Sequence, residues 1–231
     1  MKISAFQIMD EESQSFLTTR YSELVQQFSL NTILINHKPS LVGVLHDSDL
    51  VIKFIKARSW HEYLKLIWNH SRVTKEVKGT EILEDLGLNV PVIHQVGYGV
   101  IPSSRYDYLG YYIMENLTLS GYQELSKLIK DGGIDLIMRK KVMKAVYEGL
   151  KLMRDNHIVF SDFHLDNVFA NNQGKITWID AGVTTYHKLN KVKFKKKYDH
   201  SITRFIAYSN DRGNTLFDEE TAMFNSLLLQ S

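Results

Sequence analysis

The stretch from Val159 to Phe169 reads VFSDFHLDNVF and sets polar side chains between apolar ones. Asp162 and Asn167 stand five positions apart, and a further acid, Asp180, follows the apolar run KITWI. Carboxylate and amide oxygens suit Mg²⁺, which usually keeps some water and shares phosphate oxygens. One acid to orient an acceptor hydroxyl, with an amide and a second acid to hold metal against nucleotide phosphates, is what phosphoryl transfer requires. These residues predict a phosphoryl-transfer site.

Other side chains of this stretch have two interpretations each. His164 either braces the loop through hydrogen bonds or takes part in the chemistry, and the residues alone do not decide. Asp166 is either an ordinary solvated acid or a ligand of substrate or metal. Asp162 itself has a plainer alternative, that of a loop acid capping a backbone amide. The apolar residues between them are expected to anchor the loop: Val159, Phe160, Phe163 and Leu165.

A cation for the phosphates comes from the third apolar segment, LVIKFI, where Lys53 lies between Ile52 and Phe54. Alternation along a strand places the lysine on one face and its neighbours on the other. We expect a carboxylate to hold this lysine; a solvated lysine on an edge strand is the alternative. The helix predicted at 72–86 offers three acids: Glu76, Glu81 and Glu84.

The elements that position these residues divide into two halves. Five segments rich in Val, Ile, Leu and Tyr predict strands: TILIN, LVGVL, LVIKFI, VPVIHQVGYGV and YLGYYIMENL. The polar turns HKPS and HDSD join the first three into an antiparallel meander. Two helices follow the third strand, one from Ser59 with Glu62 in a capping box, the other from Arg72 to Leu86. Residues 15–30 predict a short helix or an irregular lead-in.

The second half is predicted to be mainly helical. Apolar residues recur at helical spacing from Ile134 to Met153, and NVFA and KITWI flank the turn NNQG as a hairpin. A last helix is predicted at 218–229, capped by Asp218. The pattern indicates an α+β fold with a boundary near 115–118.

Composition limits the classes of function. A formal charge of +2, from 28 basic and 26 acidic residues, gives no general case for a nucleic-acid partner. Cysteine is absent, which favours a reducing compartment. MKISAFQIMDEESQSF lacks an apolar signal core, and no stretch reaches the roughly 20 apolar residues of a membrane span. We expect a cytoplasmic protein, either free or bound peripherally at the inner membrane face.

The order of strand lysine, helix glutamate, D-x-x-x-x-N loop and strand-end D-x-G resembles the protein-kinase-like superfamily. Asp180-Ala181-Gly182 stands where that family has Asp-Phe-Gly, and the D-x-H-x-x-N form is similar to its small-molecule branch. The resemblance implies a single bilobal domain, 1–231, with an antiparallel-sheet N-lobe at 1–115 and a short helical C-lobe at 116–231. It also implies ATP and Mg²⁺ as cofactors, with Asn167 and Asp180 binding the metal.

Residues 53–99 resemble the lipopolysaccharide core heptose kinases more closely. There the strand lysine is followed by a basic helix, a Ser-Arg step, a helix glutamate and a leucine-rich run into Gly-x-x-x-Pro; here these are Ser71-Arg72, Glu76 and Gly87 to Pro91. This register selects Glu76 as the partner of Lys53, and it implies a sugar acceptor, most simply heptose of lipopolysaccharide core. The superfamily also implies that backbone groups of Met114, Glu115 and Asn116 bind adenine.

The sequence departs from the family in three places. No G-x-G-x-x-G joins the first two strands, where the turn is Asn36 to Ser40 with a lone Gly43. Phe160-Ser161 replaces the usual His-Arg, which argues against control by activation-loop phosphorylation. No Ala-Pro-Glu follows Asp180, and the 51 residues after it predict a short C-lobe.

Several alternatives remain. A compact protein kinase such as a bacterial effector, a non-catalytic nucleotide-binding module and a metal-dependent phosphoesterase are the competing functions. The basic run Lys188 to Lys197 predicts either a solvated face or a patch for anionic sugar-lipid or membrane headgroups. For a cluster of four tyrosines, packing within a strand is predicted in preference to a platform that binds a sugar: Tyr106, Tyr108, Tyr111 and Tyr112.

Overall fold

The computed structural model describes residues 33–36, 40–45, 49–59, 61–67, 70–98, 108–211 and 215–228. The predicted lead-in at 15–30 and the turn at 37–39 lie outside these ranges. The described residues form a mixed α and β structure with antiparallel sheets. They cluster into two compact units. The first contains the described residues up to Val77 and those of Pro91–Asn116, and the second contains Lys78–Val90 and the described residues from Leu117 onward.

The first unit contains one five-stranded antiparallel sheet in the order β1-β2-β3-β5-β4. The predicted meander is present, since β2 pairs with both β1 and β3. Tyr111 and Tyr112 are buried in β5, which confirms packing for these two tyrosines. The strands are β1 Ile33–Asn36, β2 Ser40–Val44, β3 Leu50–Lys56, β4 Ile93–Tyr98 and β5 Tyr108–Glu115.

Two helices follow β3, as the sequence predicts: α1 at His61–Ile67 and α2 at Arg72–Asp85. The carboxylate of Glu62 accepts a hydrogen bond from the backbone N–H of Arg58, 2.8 Å away, just before α1 begins. At the end of α2, Gly87 has φ +79°. The N–H groups of Gly87 and Leu88 bond the carbonyls of Glu84 and Leu83. This is the Schellman arrangement that a glycine permits at a helix C-terminus.

The second unit combines short strands with longer helices. Its strands form two small sheets, ordered β6-β8-β9 and β10-β7. The β8–β9 hairpin matches the prediction, whereas the β7–β10 pair and the long helix after it were not predicted. The elements are β6 Gln123–Glu124, α3 Leu125–Lys130, α4 Leu136–Asp155, β7 Ile158–Phe160, β8 Val168–Ala170, β9 Ile176–Trp178, β10 Val183–Thr185, α5 Lys191–Asp211 and α6 Asp218–Asn225.

Aromatic side chains fill the core of the second unit beneath the VFSDFHLDNVF stretch. Phe163 contacts three rings, with centroid distances of 5.6 Å to Phe160, 5.4 Å to Trp178 and 4.7 Å to Phe205. The predicted loop anchors are buried: Val159, Phe160, Phe163 and Leu165. Apolar anchoring of this stretch is therefore confirmed.

Helix α6 begins differently from the prediction. Asp218 is its first residue rather than its cap, because the chain enters the helix through Phe217. The Glu220 carboxylate accepts from the Phe217 N–H at 2.9 Å and from the Arg139 guanidinium at 2.7 and 2.8 Å. A buried acid thus serves both the helix start and an ion pair with α4. No helix of the described chain has the length and apolar character that crossing a membrane needs.

Candidate functional site

Lys53 and Glu76 form a buried ion pair in the first unit. The lysine Nζ lies 2.9 Å from Oε2 of Glu76, and only 4% of Lys53 is exposed. The β2–β3–β5 register places Lys53 between Val42 and Tyr112 in the middle of the sheet. Lys53 is therefore not a solvated lysine on an edge strand. Of the two interpretations of the sequence, the structure supports the one in which a carboxylate holds the lysine.

Tyr112 completes this cluster. Its hydroxyl donates to Oε2 of Glu76 at 3.0 Å, and its ring centroid lies 5.7 Å from the Lys53 ammonium. The carboxylate thus receives two donors while the ring faces the cation. Ile52 and Phe54 are also buried, so both faces of β3 are covered. The other acids of the helix, Glu81 and Glu84, are exposed.

The first turn of α2 fixes where Glu76 stands. The Ser71 hydroxyl accepts from the Thr74 N–H at 3.2 Å, as an N-cap residue does. Arg72 donates to the carbonyl of Lys56 and lies 3.7 Å from the Glu62 carboxylate. Burial lowers the pKa of Arg72, with Arg58 adding to the shift, although the nearby carboxylates oppose it. The Ser71-Arg72 step therefore ties the helix start to β3 and α1.

The predicted adenine-binding segment lies at the end of β5. The backbone N–H of Glu115 donates to the Val92 carbonyl at 3.1 Å, and that of Asn116 donates to the Asp49 carbonyl at 3.1 Å. Both amides are thus engaged inside the unit. A base bound at Met114 to Asn116 would need carbonyl oxygens of the segment rather than these two N–H groups.

The carboxylate of Asp162 stands on an exposed turn directly after β7. The side chain is 68% exposed, although Phe163 beside it is buried. The Asn167 amide nitrogen donates to the Asp162 carbonyl at 3.1 Å. This bond closes the loop and leaves Oδ1 as the amide oxygen of Asn167 that could bind a cation.

The backbone directly before Asp180 is hydrogen-bonded to Asn167. The N–H of Ile179 donates to the Asn167 carbonyl at 2.9 Å, which joins the two strands at this point. Asp180 has φ +52°, in the left-handed region that short polar residues tolerate better than most. The second unit thus brings Asp162, Asn167 and Asp180 into one loop pair.

Ala181 fits against the backbone of α2 with no space to spare. Ala181 is fully buried, and a Cβ added to Gly79 would lie 1.6 Å from its carbonyl oxygen. A glycine is therefore required at position 79 for this approach of helix and loop. The tight contact fixes the backbone next to Asp180.

Arg204 is a residue that the sequence analysis missed. It extends from α5, and its Nη2 lies 3.0 Å from Oδ1 of Asp162. The Arg204 side chain is 55% exposed. No motif marked it, because Arg204 lies 42 positions after Asp162. Only the folding of α5 against β7, where the Ser201 hydroxyl bonds the Phe160 carbonyl, brings it close.

His164 is held by a ring contact. Its imidazole stacks on Tyr208 with centroids 5.1 Å apart and an interplanar angle of 28°. Its Nδ1 lies 3.4 Å from Oδ2 of Asp166, but these atoms form no hydrogen bond, and Nδ1 is without one among the described residues. The stacking shows how the loop is braced, and a catalytic role for His164 stays a prediction.

The donor set at Asn167 and Asp180 suits a metal shared with a ligand rather than one held by protein alone. Within the described ranges, no three His, Asp or Glu side chains come together as a metal site. One amide oxygen and one carboxylate match Mg²⁺, which takes few protein ligands and completes its shell with phosphate oxygens and water. The residues present therefore fit a nucleotide-bound Mg²⁺.

Comparison with known proteins adds no assignment. No protein-family model matches the chain. A search of curated proteins also finds no protein similar to it.

Proposed function

We propose that the chain is an ATP- and Mg²⁺-dependent phosphotransferase with a bilobal protein-kinase-like fold and an alcohol acceptor. The observation that carries the proposal is the ion pair of the buried Lys53 with the partly exposed Glu76. Burying a lysine and partly burying its carboxylate costs solvation that an apolar pair would avoid, so such a pair is weak evidence of a role in stability alone. A lysine fixed by a glutamate on the neighbouring helix is what contact with nucleotide phosphates needs.

The second unit supplies groups for the other half of the reaction. Asp162 would accept a hydrogen bond from the acceptor hydroxyl and orient it, and its high exposure leaves it reachable by a substrate. Asn167 and Asp180 would hold Mg²⁺, which when bound neutralises charge on the nucleotide phosphates. Arg204 adds a cation beside Asp162, where negative charge on a transferring phosphoryl group would be stabilised.

The acceptor is proposed to be a sugar hydroxyl, most simply heptose of lipopolysaccharide core. Support comes from the run Lys53 to Pro91, whose Ser71-Arg72 step ties α2 to β3 in the structure. The same step keeps Glu76 in register with Lys53. Nucleotide binding at Met114 to Asn116 is part of this proposal.

The test is transfer of label from γ-labelled ATP. The full chain is incubated with extracted lipopolysaccharide in one arm and with a soluble protein lysate in another. Labelled lipopolysaccharide supports the proposal, whereas label on protein alone would replace the sugar acceptor by a protein one. The absence of any transfer in both arms, together with no ATP binding, would refute phosphotransfer.

Asp162→Ala is the decisive variant, because it removes the orienting carboxylate without touching a buried group. We expect transfer to fall by at least about a thousandfold while nucleotide binding persists. Asp131→Ala is the matched control, since Asp131 is an exposed acid of the same unit. Full turnover by Asp162→Ala would overturn the assigned role.

A further inference from the structure

The positive charge of the chain is concentrated around α5. Residues 188–204 contain six lysines and Arg204 but one acid, Asp199. The whole chain has a formal charge of only +2, so the remaining residues are net acidic. The segment is therefore a local cationic surface on a nearly neutral protein.

Four of these side chains and one histidine share one face of α5, and we call the five together the basic stripe. They recur every three or four positions, which places them side by side along a helix. All five are exposed, while the opposite face of α5 is buried, including Phe194, Tyr198 and Phe205. At 1.5 Å per residue the stripe is about 16 Å long. Its members are Lys193, Lys196, Lys197, His200 and Arg204.

The fold gives no reason for cations at this position. Lys191 and Lys193 lie in the first turn of α5, which contains no acid. The N-terminal end of a helix carries partial positive charge, so lysines there are unfavourable for the helix itself. Among the described residues, Lys195 is the one lysine of this segment within ion-pair distance of an acid, Asp199 at 3.7 Å.

Two large aliphatic side chains lie at the N-terminal end of α5, one just before the helix and one in its first turn. Leu189 is 87% exposed and follows Lys188, and Val192 is 85% exposed between Lys191 and Lys193. Exposed aliphatic residues among lysines are typical of segments that lie in a lipid headgroup layer. A single-stranded nucleic acid would instead be expected to need exposed aromatic rings, but Phe194 and Tyr198 are buried.

We propose that the basic stripe, with Leu189 and Val192, docks the chain on an anionic lipid bilayer. The lysines face anionic headgroups, and the two aliphatic side chains enter the boundary with the acyl chains. Arg204 ends the stripe beside Asp162, so the docking face leads to the exposed carboxylate. Docking itself does not depend on phosphotransfer and can be tested without nucleotide.

The experiment is co-sedimentation of the full chain with vesicles. One set contains phosphatidylcholine alone, and the other contains phosphatidylcholine with phosphatidylglycerol. We expect binding to the anionic set, at least about tenfold weaker binding to the neutral set, and a marked loss of anionic binding at high salt. Equal binding to both sets, or none to either, would overturn the proposal.

Two sets of variants localise the surface. Lys193→Glu, Lys196→Glu and Lys197→Glu together should weaken anionic binding by at least about tenfold, because each lysine contributes attraction to the surface. Leu189→Ser with Val192→Ser should weaken the part of binding that survives high salt. The matched control reverses three exposed lysines elsewhere in the same unit: Lys130, Lys144 and Lys175.

Folding and alternative partners are checked in the same samples. Lys193→Glu places an acid in the first turn of α5, so the triple variant should melt no lower than the parent. Vesicle binding unchanged by the triple variant, or lost equally in the control, contradicts the proposal. Self-association that the triple variant abolishes, with no vesicle binding, would assign the stripe to a second copy instead. Asp162→Ala should bind vesicles normally, which separates docking from catalysis.

Discussion

Nη2 of Arg204 lies 3.0 Å from Oδ1 of Asp162, and both side chains are more than half exposed. An exposed ion pair of this kind contributes about 0–1 kcal/mol to stability. The arrangement therefore does little for the fold. Its consequence is electrostatic, because a cation stands beside the carboxylate that is proposed to orient the acceptor.

Arg204→Ala is expected to lower the turnover rate by roughly 10- to 100-fold, since it removes a cation beside the transferring group. Arg204→Lys should recover part of the rate, because it restores the charge without the planar fork. Steady-state kinetics and nucleotide titration measure both effects. Unchanged melting and nucleotide affinity are expected, with Thr203→Ala as the neighbouring control. A rate equal to that of the parent would exclude this role.

Removing one partner of the Lys53–Glu76 pair should destabilise the first unit unequally. Glu76→Ala leaves the buried ammonium without its carboxylate and should cost about 3 kcal/mol of unfolding free energy. Lys53→Met should cost less, because Glu76 is partly exposed and keeps its bond from Tyr112. Urea unfolding measures the difference.

The double variant Lys53→Met with Glu76→Met should recover most of that loss, because an apolar pair needs no compensating charge. Lys75→Met, an exposed change one position away, serves as the control and should change stability by less than about 0.5 kcal/mol. Equal losses from the two single variants would contradict the buried-charge argument.

Gly79→Ala should be destabilising although alanine is the better helix former by about 1 kcal/mol. The added Cβ would lie 1.6 Å from the Ala181 carbonyl oxygen, and backbone cannot move aside as a flexible side chain can. We expect a loss of about 3 kcal/mol in thermal or urea unfolding. Lys78→Ala, exposed on the same helix, should be neutral. A stabilised Gly79→Ala protein would show that this contact is absent.

Tyr198 should make stability depend on alkaline pH. Burial raises the pKa of its hydroxyl, which also donates to the Leu150 carbonyl at 2.9 Å. Because the folded state holds this proton more tightly, its contribution is complete below the unfolded pKa of about 10 and is lost as pH rises above that.

Tyr198→Phe should therefore show a shallower fall in unfolding free energy between about pH 9.5 and 11 than the parent protein. Tyr147→Phe is the control, since Tyr147 is only partly buried and its hydroxyl meets Ser226 at 3.3 Å. Identical slopes for Tyr198→Phe and the parent would mean that this hydroxyl ionises equally in both states.

Local pattern predicted the elements that carry the site, and long-range packing explains what it did not predict. Strand β3 follows from its apolar run and helix α2 from a helical run that ends near Gly87, but the choice of Glu76 over Glu81 and Glu84 as the partner of Lys53 came from the family resemblance. The β7–β10 pair escaped because its two three-residue strands are not joined by a turn, whereas the equally short β8 and β9 flank the turn signal NNQG.

Helix α5 shows the other limit. Its lysines mask the apolar residues Phe194, Tyr198, Ile202 and Phe205, which recur at intervals of three and four and form its buried face. The polar, basic composition of the segment obscures this period in the sequence. Arg204 could not be paired with Asp162 until that helix was placed against β7.

Gly79 and Ala181 also constrain how related sequences can differ. Gly79 has no side chain where the helix backbone meets the loop carbonyl, and Ala181 is fully buried, so neither position can gain bulk while the other stays fixed. A lineage with a larger residue at 181 would need its helix farther away. The two positions are therefore expected to covary across an alignment, with small residues at 79 accompanying small residues at 181.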